Sequence, residues 1–145
     1  MLTKSQGNLL LKLARKAIEE ALKHKTVKVS TAVRRKEIFL QQPGVFVTLL
    51  KTGELRGSVG YPEGTYPLID AVIRAARDAA FNDPRFKAVK KSGLQQLRIR
   101  IDILSKFKQT SIRGIKPRKQ GIYVKYGPFK ALQLPEDAKK FKWTA

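Results

Sequence analysis

Residues 44–61 read GVFVTLLKTGELRGSVGY. Two strand-length runs flank Thr52-Gly53, a dipeptide suited to a hairpin turn. In the first run Val45, Val47 and Leu49 alternate with Phe46, Thr48 and Leu50, the pattern of a strand buried on both faces. In the return run, 54–61, Gly57 and Gly60 interrupt the strand pattern. Glycine inside a strand marks a bulge or the close approach of another backbone. The stretch therefore predicts an antiparallel hairpin whose second strand is tightly approached.

A second helix is predicted from about Pro67 to Phe81. Pro67 suits its first turn. Ile69, Val72, Ile73, Ala76, Ala79 and Ala80 form its buried side, with Arg74, Arg77 and Asp78 exposed. Asn82-Asp83-Pro84 stops it, because the residue before a proline avoids the helical region. Upstream, Leu10, Leu13, Ala14, Ala17, Ile18, Ala21 and Leu22 recur at helical spacing, and Ser5 is a candidate cap. Residues 25–36, KTVKVSTAVRRK, read as a loop or short strand. Downstream, Leu97, Ile99, Ile101 and Ile103 alternate with Arg98, Arg100 and Asp102, a strand with one core face. A basic loop spans 105–120, and a last hairpin, GIYVKY and FKALQL, turns at Gly127-Pro128. The order predicts an α+β fold: an antiparallel sheet flanked by helices, as a single compact domain. The domain is expected over 1–135, with a basic and aromatic C-terminal tail at 136–145.

The length of 145 residues fits one domain, of a size that buries on the order of 70% of its unfolded surface. There is no cysteine, which excludes disulfides, zinc ribbons and thiol catalysis, and His24 alone builds no histidine metal site. No metal and no cofactor is expected. No apolar run approaches the ~18 residues of a membrane span, and the N-terminus lacks the pattern of a signal peptide. A cytoplasmic location without membrane contact is the expectation.

Charge is the strongest compositional signal. The net charge is +20, from 31 Lys and Arg against 11 Asp and Glu. Residues 1–84 carry 14 basic and 8 acidic residues; residues 85–145 carry 17 and 3. Such one-sided charge repels itself unless a polyanion compensates it, and nucleic acid is the usual one. An anionic membrane surface is the rival.

The block 44–86 resembles the signature region of the AMMECR domain family, named for the Alport syndrome, midface hypoplasia and elliptocytosis chromosomal region. The family motif, LRGCIG followed by Tyr-Pro, is matched by Leu55-Arg56-Gly57-Ser58-Val59-Gly60-Tyr61-Pro62. Asp83-Pro84-Arg85-Phe86 matches the stop of the family's next helix, LRIRIDILS its next strand, and GIYVKYGPFKALQLP its later hairpin. The resemblance implies an α+β fold on an antiparallel sheet and a motif suspected of being an active or binding site. Members occur fused with or beside Memo-like and radical-SAM proteins, which implies enzymology or partnership. This chain departs from the family at three places. Ser58 replaces the motif cysteine, and Ala131 and Gln133 replace a glycine and an apolar residue. The family's further acidic, aromatic and helical segment is not matched after Pro135.

Candidate sites follow. No catalytic residue is assigned, because Ser58 needs a base and an oxyanion hole, and the sequence places no base beside it. Leu55, Arg56, Gly57, Ser58, Val59, Gly60 and Tyr61 form a motif site for a ligand or anion. Arg56 is read as an anion contact or as a strand arginine paired with Glu54 or Glu63. The scattered carboxylates, including Asp70, Asp78, Asp83 and Asp102, are read as solvated faces and helix ends.

The nucleic-acid candidates are Arg98, Arg100, Lys106, Lys108, Arg113, Lys116, Arg118, Lys119, Lys125 and Lys130, followed by Lys139, Lys140, Lys142 and Trp143. Phe107, Tyr123 and Tyr126 interleave them, which suits phosphate contact with base stacking. The leading expectation is a non-catalytic RNA-binding protein, ribosomal or ribosome-associated, with rRNA and neighbouring ribosomal proteins as partners. The alternatives are an enzyme or accessory subunit using LRGSVG, or a protein-binding adaptor.

Overall fold

A computed structural model describes residues 1–143. Its backbone contacts gather into two units, one from Met1 to Ser105 and the other from Lys106 onward. The fold is α+β, with antiparallel sheets and flanking helices.

In the first unit, α1 (Lys4–Ala21) buries Leu10, Leu13, Ala14, Ala17 and Ile18. Its cap is Thr3, not Ser5. Thr3 accepts from the Gln6 N–H at 3.2 Å, and Gln6 Oε1 accepts from the Thr3 N–H at 2.8 Å. This reciprocal pair needs a glutamine or glutamate three residues after the cap, which Ser5 lacks. Residues 25–36 hold no strand. Ser30 caps a short helix, α2 (Thr31–Arg34), and α3 (Glu37–Leu40) follows and places Phe39 in the core. The alternating Val27, Val29, Thr31 and Val33 had masked the Ser30 cap.

β1 (Gly44–Lys51) is the central strand of a three-stranded sheet, between β2 (Glu54–Tyr61) and β3 (Leu97–Leu104). Val45, Val47 and Leu49 have no exposure, as a central strand packed under helices requires. The register shifts between Leu49 and Leu50, whose partners are Gly57 and Leu55, so Arg56 is the extra residue of a bulge in β2. α4 (Leu68–Phe81) presents an alanine-rich face, Ala71, Ala75, Ala76, Ala79 and Ala80, all buried. Small residues bring it close: a Cβ on Gly57 would collide with the Ala79 carbonyl oxygen. α4 begins at Leu68, with Pro67 as its cap residue. Arg15 ties α1 to β3, donating to the carbonyls of Leu94 and Leu97 at 3.1 and 2.6 Å.

The second unit starts as irregular chain with one short 3₁₀ turn at Ile112–Gly114. β4 (Ile122–Tyr126) and β5 (Phe129–Gln133) pair antiparallel about Gly127-Pro128, with Gly127 at φ +57°, a conformation glycine adopts freely. α5 (Pro135–Lys140) places Glu136 and Asp137 in its first turn and Lys139 and Lys140 in its last, both complementing the helix dipole. Of the expected tail, Thr144 and Ala145 lie outside the described residues.

Candidate functional site

The motif site is built from the outer edge of β2. Thr48 and Ser58 are direct partners, and their hydroxyls lie 2.9 Å apart. The Ser58 N–H turns away from β1 and donates to Asp83 Oδ2 at 2.9 Å. A free edge N–H is thus taken up by a side chain, which closes this part of the edge to strand addition. Asp83 is 5% exposed and fully engaged: its oxygens also accept from the Arg85 backbone N–H, Nε and Nη2 at 3.1, 3.0 and 2.8 Å. The Arg85 guanidinium holds the Asp83 carboxyl well below the usual carboxylate range, with the Ser58 and Arg85 N–H groups adding to it against the opposing effect of burial. The reading of Asp83 as a solvated helix end is therefore corrected.

Asp78 is corrected as well. It is half-buried, and it accepts from the Tyr61 hydroxyl at 2.9 Å and from Asn82 at 2.7 Å. Burial, then the hydrogen bond to Asp78, push the Tyr61 phenol up to about 12. Tyr66 meets Tyr61 edge-on and carries the Arg74 guanidinium 4.6 Å from its ring centre. Asp70 is paired with Arg34 at 2.7 Å.

Arg56 binds neither Glu54 nor Glu63. Its Nη2 donates to the Lys87 carbonyl at 2.7 Å, and its Nη1 is buried without a hydrogen-bond partner. Gly57 and Gly60 are packing positions, since a Cβ at Gly60 would meet the Val45 carbonyl and the Phe46 ring. Val59 packs against the core, and Leu55 is exposed. The Ser58 hydroxyl is bonded to that of Thr48, and its N–H to Asp83. Among the described residues no three His, Asp or Glu groups converge as metal ligands.

The basic candidates separate. Arg98 is exposed on β3, whereas Arg100 is bonded through Nε to Asp102 at 2.9 Å. The rest lie in the second unit. Lys106, Lys108, Arg113, Lys116, Lys119, Lys125, Lys130, Lys139, Lys140 and Lys142 are all exposed. Arg118 is exposed and also anchors the chain end, donating to the carbonyls of Trp143 and Lys142 at 3.0 and 3.1 Å. Trp143 stacks on Phe141 at 5.4 Å, and Phe107 stacks on Tyr123 at 4.5 Å. The segment after Pro135 is thus helical, then folded back on its own unit.

The AMMECR1 family model matches residues 11–145, nearly the whole chain. The chain belongs to the AMMECR1 family. A protein from Methanothermobacter thermautotrophicus is 38% identical over 99% of this chain and 78% of its own length. One from Thermococcus kodakarensis is 32% identical over 94% and 72%. The crystal structure of PH0010 from Pyrococcus horikoshii superposes with a TM-score of 0.84 at 32% identity, over 98% of this chain and 75% of that one. Within this AMMECR1 fold, Asp83 and Arg85 are the residues that sequence reasoning did not assign to the motif site. Their signal lies in Asp-Pro-Arg-Phe, which by sequence alone marks only a helix stop.

Proposed function

We propose that this AMMECR1-family chain binds RNA without catalysing a reaction, through the second unit, as a ribosomal or ribosome-associated component contacting rRNA. The observation that carries the reading is the one-sided surface from residue 106 onward. Eleven Lys and Arg stand against two acids there, with exposed aromatic rings among them. Phosphate neutralisation supplies affinity to such a surface, and the rings add contact with bases. The motif region fits the same division in part: the Ser58 N–H, Asp83 and Arg85 bond to one another, while Arg56 keeps one buried Nη1 group without a partner. A ribosomal partner brings a cytoplasmic location with it. Among the described residues no helix is long and apolar enough to cross a membrane.

The test is sedimentation of native lysate through sucrose at low and high salt, with the chain followed by mass spectrometry. Co-sedimentation with one ribosomal subunit near unit stoichiometry, retained at high salt, is the expected result. Recovery at the top of the gradient in both salts removes the ribosomal reading and returns attention to the LRGSVG region as a ligand or partner site.

A further inference from the structure

The β4–β5 ribbon turns its apolar residues outward. The register puts Ile122, Val124 and Tyr126 on one face with their partners Gln133, Ala131 and Phe129. Tyr126 and Phe129 are direct partners beside the turn and are 82% and 73% exposed. Val124, next along that face, is exposed too. Tyr123 lies on the opposite face and stacks on the exposed Phe107, with the rings 18° from parallel. Open aromatic surface is therefore offered at the hairpin tip by Tyr126 and Phe129, while on the other face Tyr123 is half-buried against Phe107, all inside a segment of strongly positive charge.

The charge selects the occupant. A partner for this unit must be anionic, and it must also present flat apolar faces to rings. Unpaired nucleotides do both. In a duplex the base faces are stacked on one another and closed to a protein ring. An anionic membrane meets the charge, but its headgroups and acyl chains present no flat faces for a ring to stack on.

Resting on the RNA-binding reading above, we propose that the β4–β5 hairpin is a stacking platform for unpaired RNA bases. Tyr126 and Phe129 receive a base at the hairpin tip, while the cations of the same unit hold the flanking phosphates. The preferred target is then a loop, bulge or strand end of a structured RNA.

The experiment is fluorescence anisotropy of the full chain with a labelled oligouridylate and, separately, a blunt-ended duplex RNA, at matched salt. Changing Tyr126→Ala together with Phe129→Ala is expected to weaken oligouridylate binding by about tenfold or more, the usual scale for lost base stacking. Duplex binding and the salt slope are expected to stay as they were. Tyr126→Trp with Phe129 intact is expected to keep wild-type affinity, because any large ring serves. Both side chains are solvent-facing, so an unchanged thermal melt is the control for folding. Equal losses on both RNAs, or no loss on either, overturn the platform while leaving RNA binding in place. Failure of the wild-type chain to bind either RNA overturns both readings. Binding of the wild-type chain to phosphatidylserine vesicles but not to oligouridylate, lost in the double variant, assigns the hairpin to a membrane surface instead.

Discussion

The two units carry charge at different densities. Met1–Ser105 carries a net +11 over 105 residues, and four of its cations pair with acids: Arg34 with Asp70, Arg85 with Asp83, Arg100 with Asp102, Lys23 with Glu20. Residues 106–145 carry +9 over 40, and cations dominate the described surface. Several large apolar side chains differ in the same sense, although Leu134 and Ala138 of the second unit are buried and Leu40 of the first is exposed. Phe39, Val45, Val47 and Leu49 are closed off from water, whereas Tyr126, Phe129 and Ile112 face it. A segment with little acid and outward-facing rings gains most from a partner that supplies charge and stacking surface. The first unit gains its stability from its own packing.

The contrast is most strongly tested by reversing charge in the second unit. Changing Arg113, Lys116, Arg118 and Lys119 together to glutamate is expected to weaken RNA binding by at least about a hundredfold at moderate salt, since several phosphate contacts become repulsive. Denaturant unfolding of the first unit's core is expected to move little. A large fall in core stability would show that these residues are structural.

The reciprocal test is Gly57→Ala. The added methyl meets the Ala79 backbone carbonyl, which cannot rotate aside, so β2 and α4 must separate. A loss of about 3 kcal/mol in urea unfolding is expected, at the upper end of ordinary overpacking. A change within experimental error would mean that α4 shifts freely over the sheet.

Asp83→Ala is expected to cost about 2 kcal/mol, because it removes a charged acceptor from the Ser58 N–H and from Arg85. The pH dependence identifies the cause. Asp83 is held lower in the folded chain than in the unfolded one, so its contribution is full above the unfolded value of about 4 and is lost as pH falls further. Wild type is expected to lose stability in that acid range more steeply than the variant. Parallel pH profiles would show that the clasp is not ionic. Tyr61 acts at the other end. Its phenol is raised to about 12, so its contribution is present below the unfolded value of about 10 and fades as pH rises through 12. Tyr61→Phe is expected to remove that alkaline loss, and an unchanged alkaline profile would exclude the Tyr61 phenol as its source.

The smallest effect belongs to Ser58→Ala, about 1 kcal/mol for the hydroxyl bond to Thr48, with RNA affinity unchanged. A loss of affinity there would move the interface to the motif.

The hairpin at 44–61, the strand at 97–104 and the helix ending at Phe81 were legible because each rests on a local signal: alternation, a turn dipeptide, a proline. Gly57 announced a close approach, but nothing in the sequence showed that the approaching group is the Ala79 carbonyl. α2 was missed because β-branched residues around Ser30 imitate a strand. Asp83 was misread for a related reason. Its bond to the Ser58 N–H spans 25 residues of sequence and depends on which strand lies at the edge of the sheet. The accessibility of Tyr126 was legible from its place among the lysines, whereas that of Phe129 was not, since alternating apolar residues in a hairpin ordinarily turn inward.

The most direct measurement is the affinity of the intact chain for structured rRNA across a salt series, for wild type beside the quadruple glutamate variant. RNA binding through the second unit predicts a steep fall of log K with log salt for wild type. The variant should be flatter by about 3, near 0.7 to 0.9 for each of four lost phosphate contacts. Identical slopes in the two proteins would contradict it and place the RNA-binding surface outside residues 113–119.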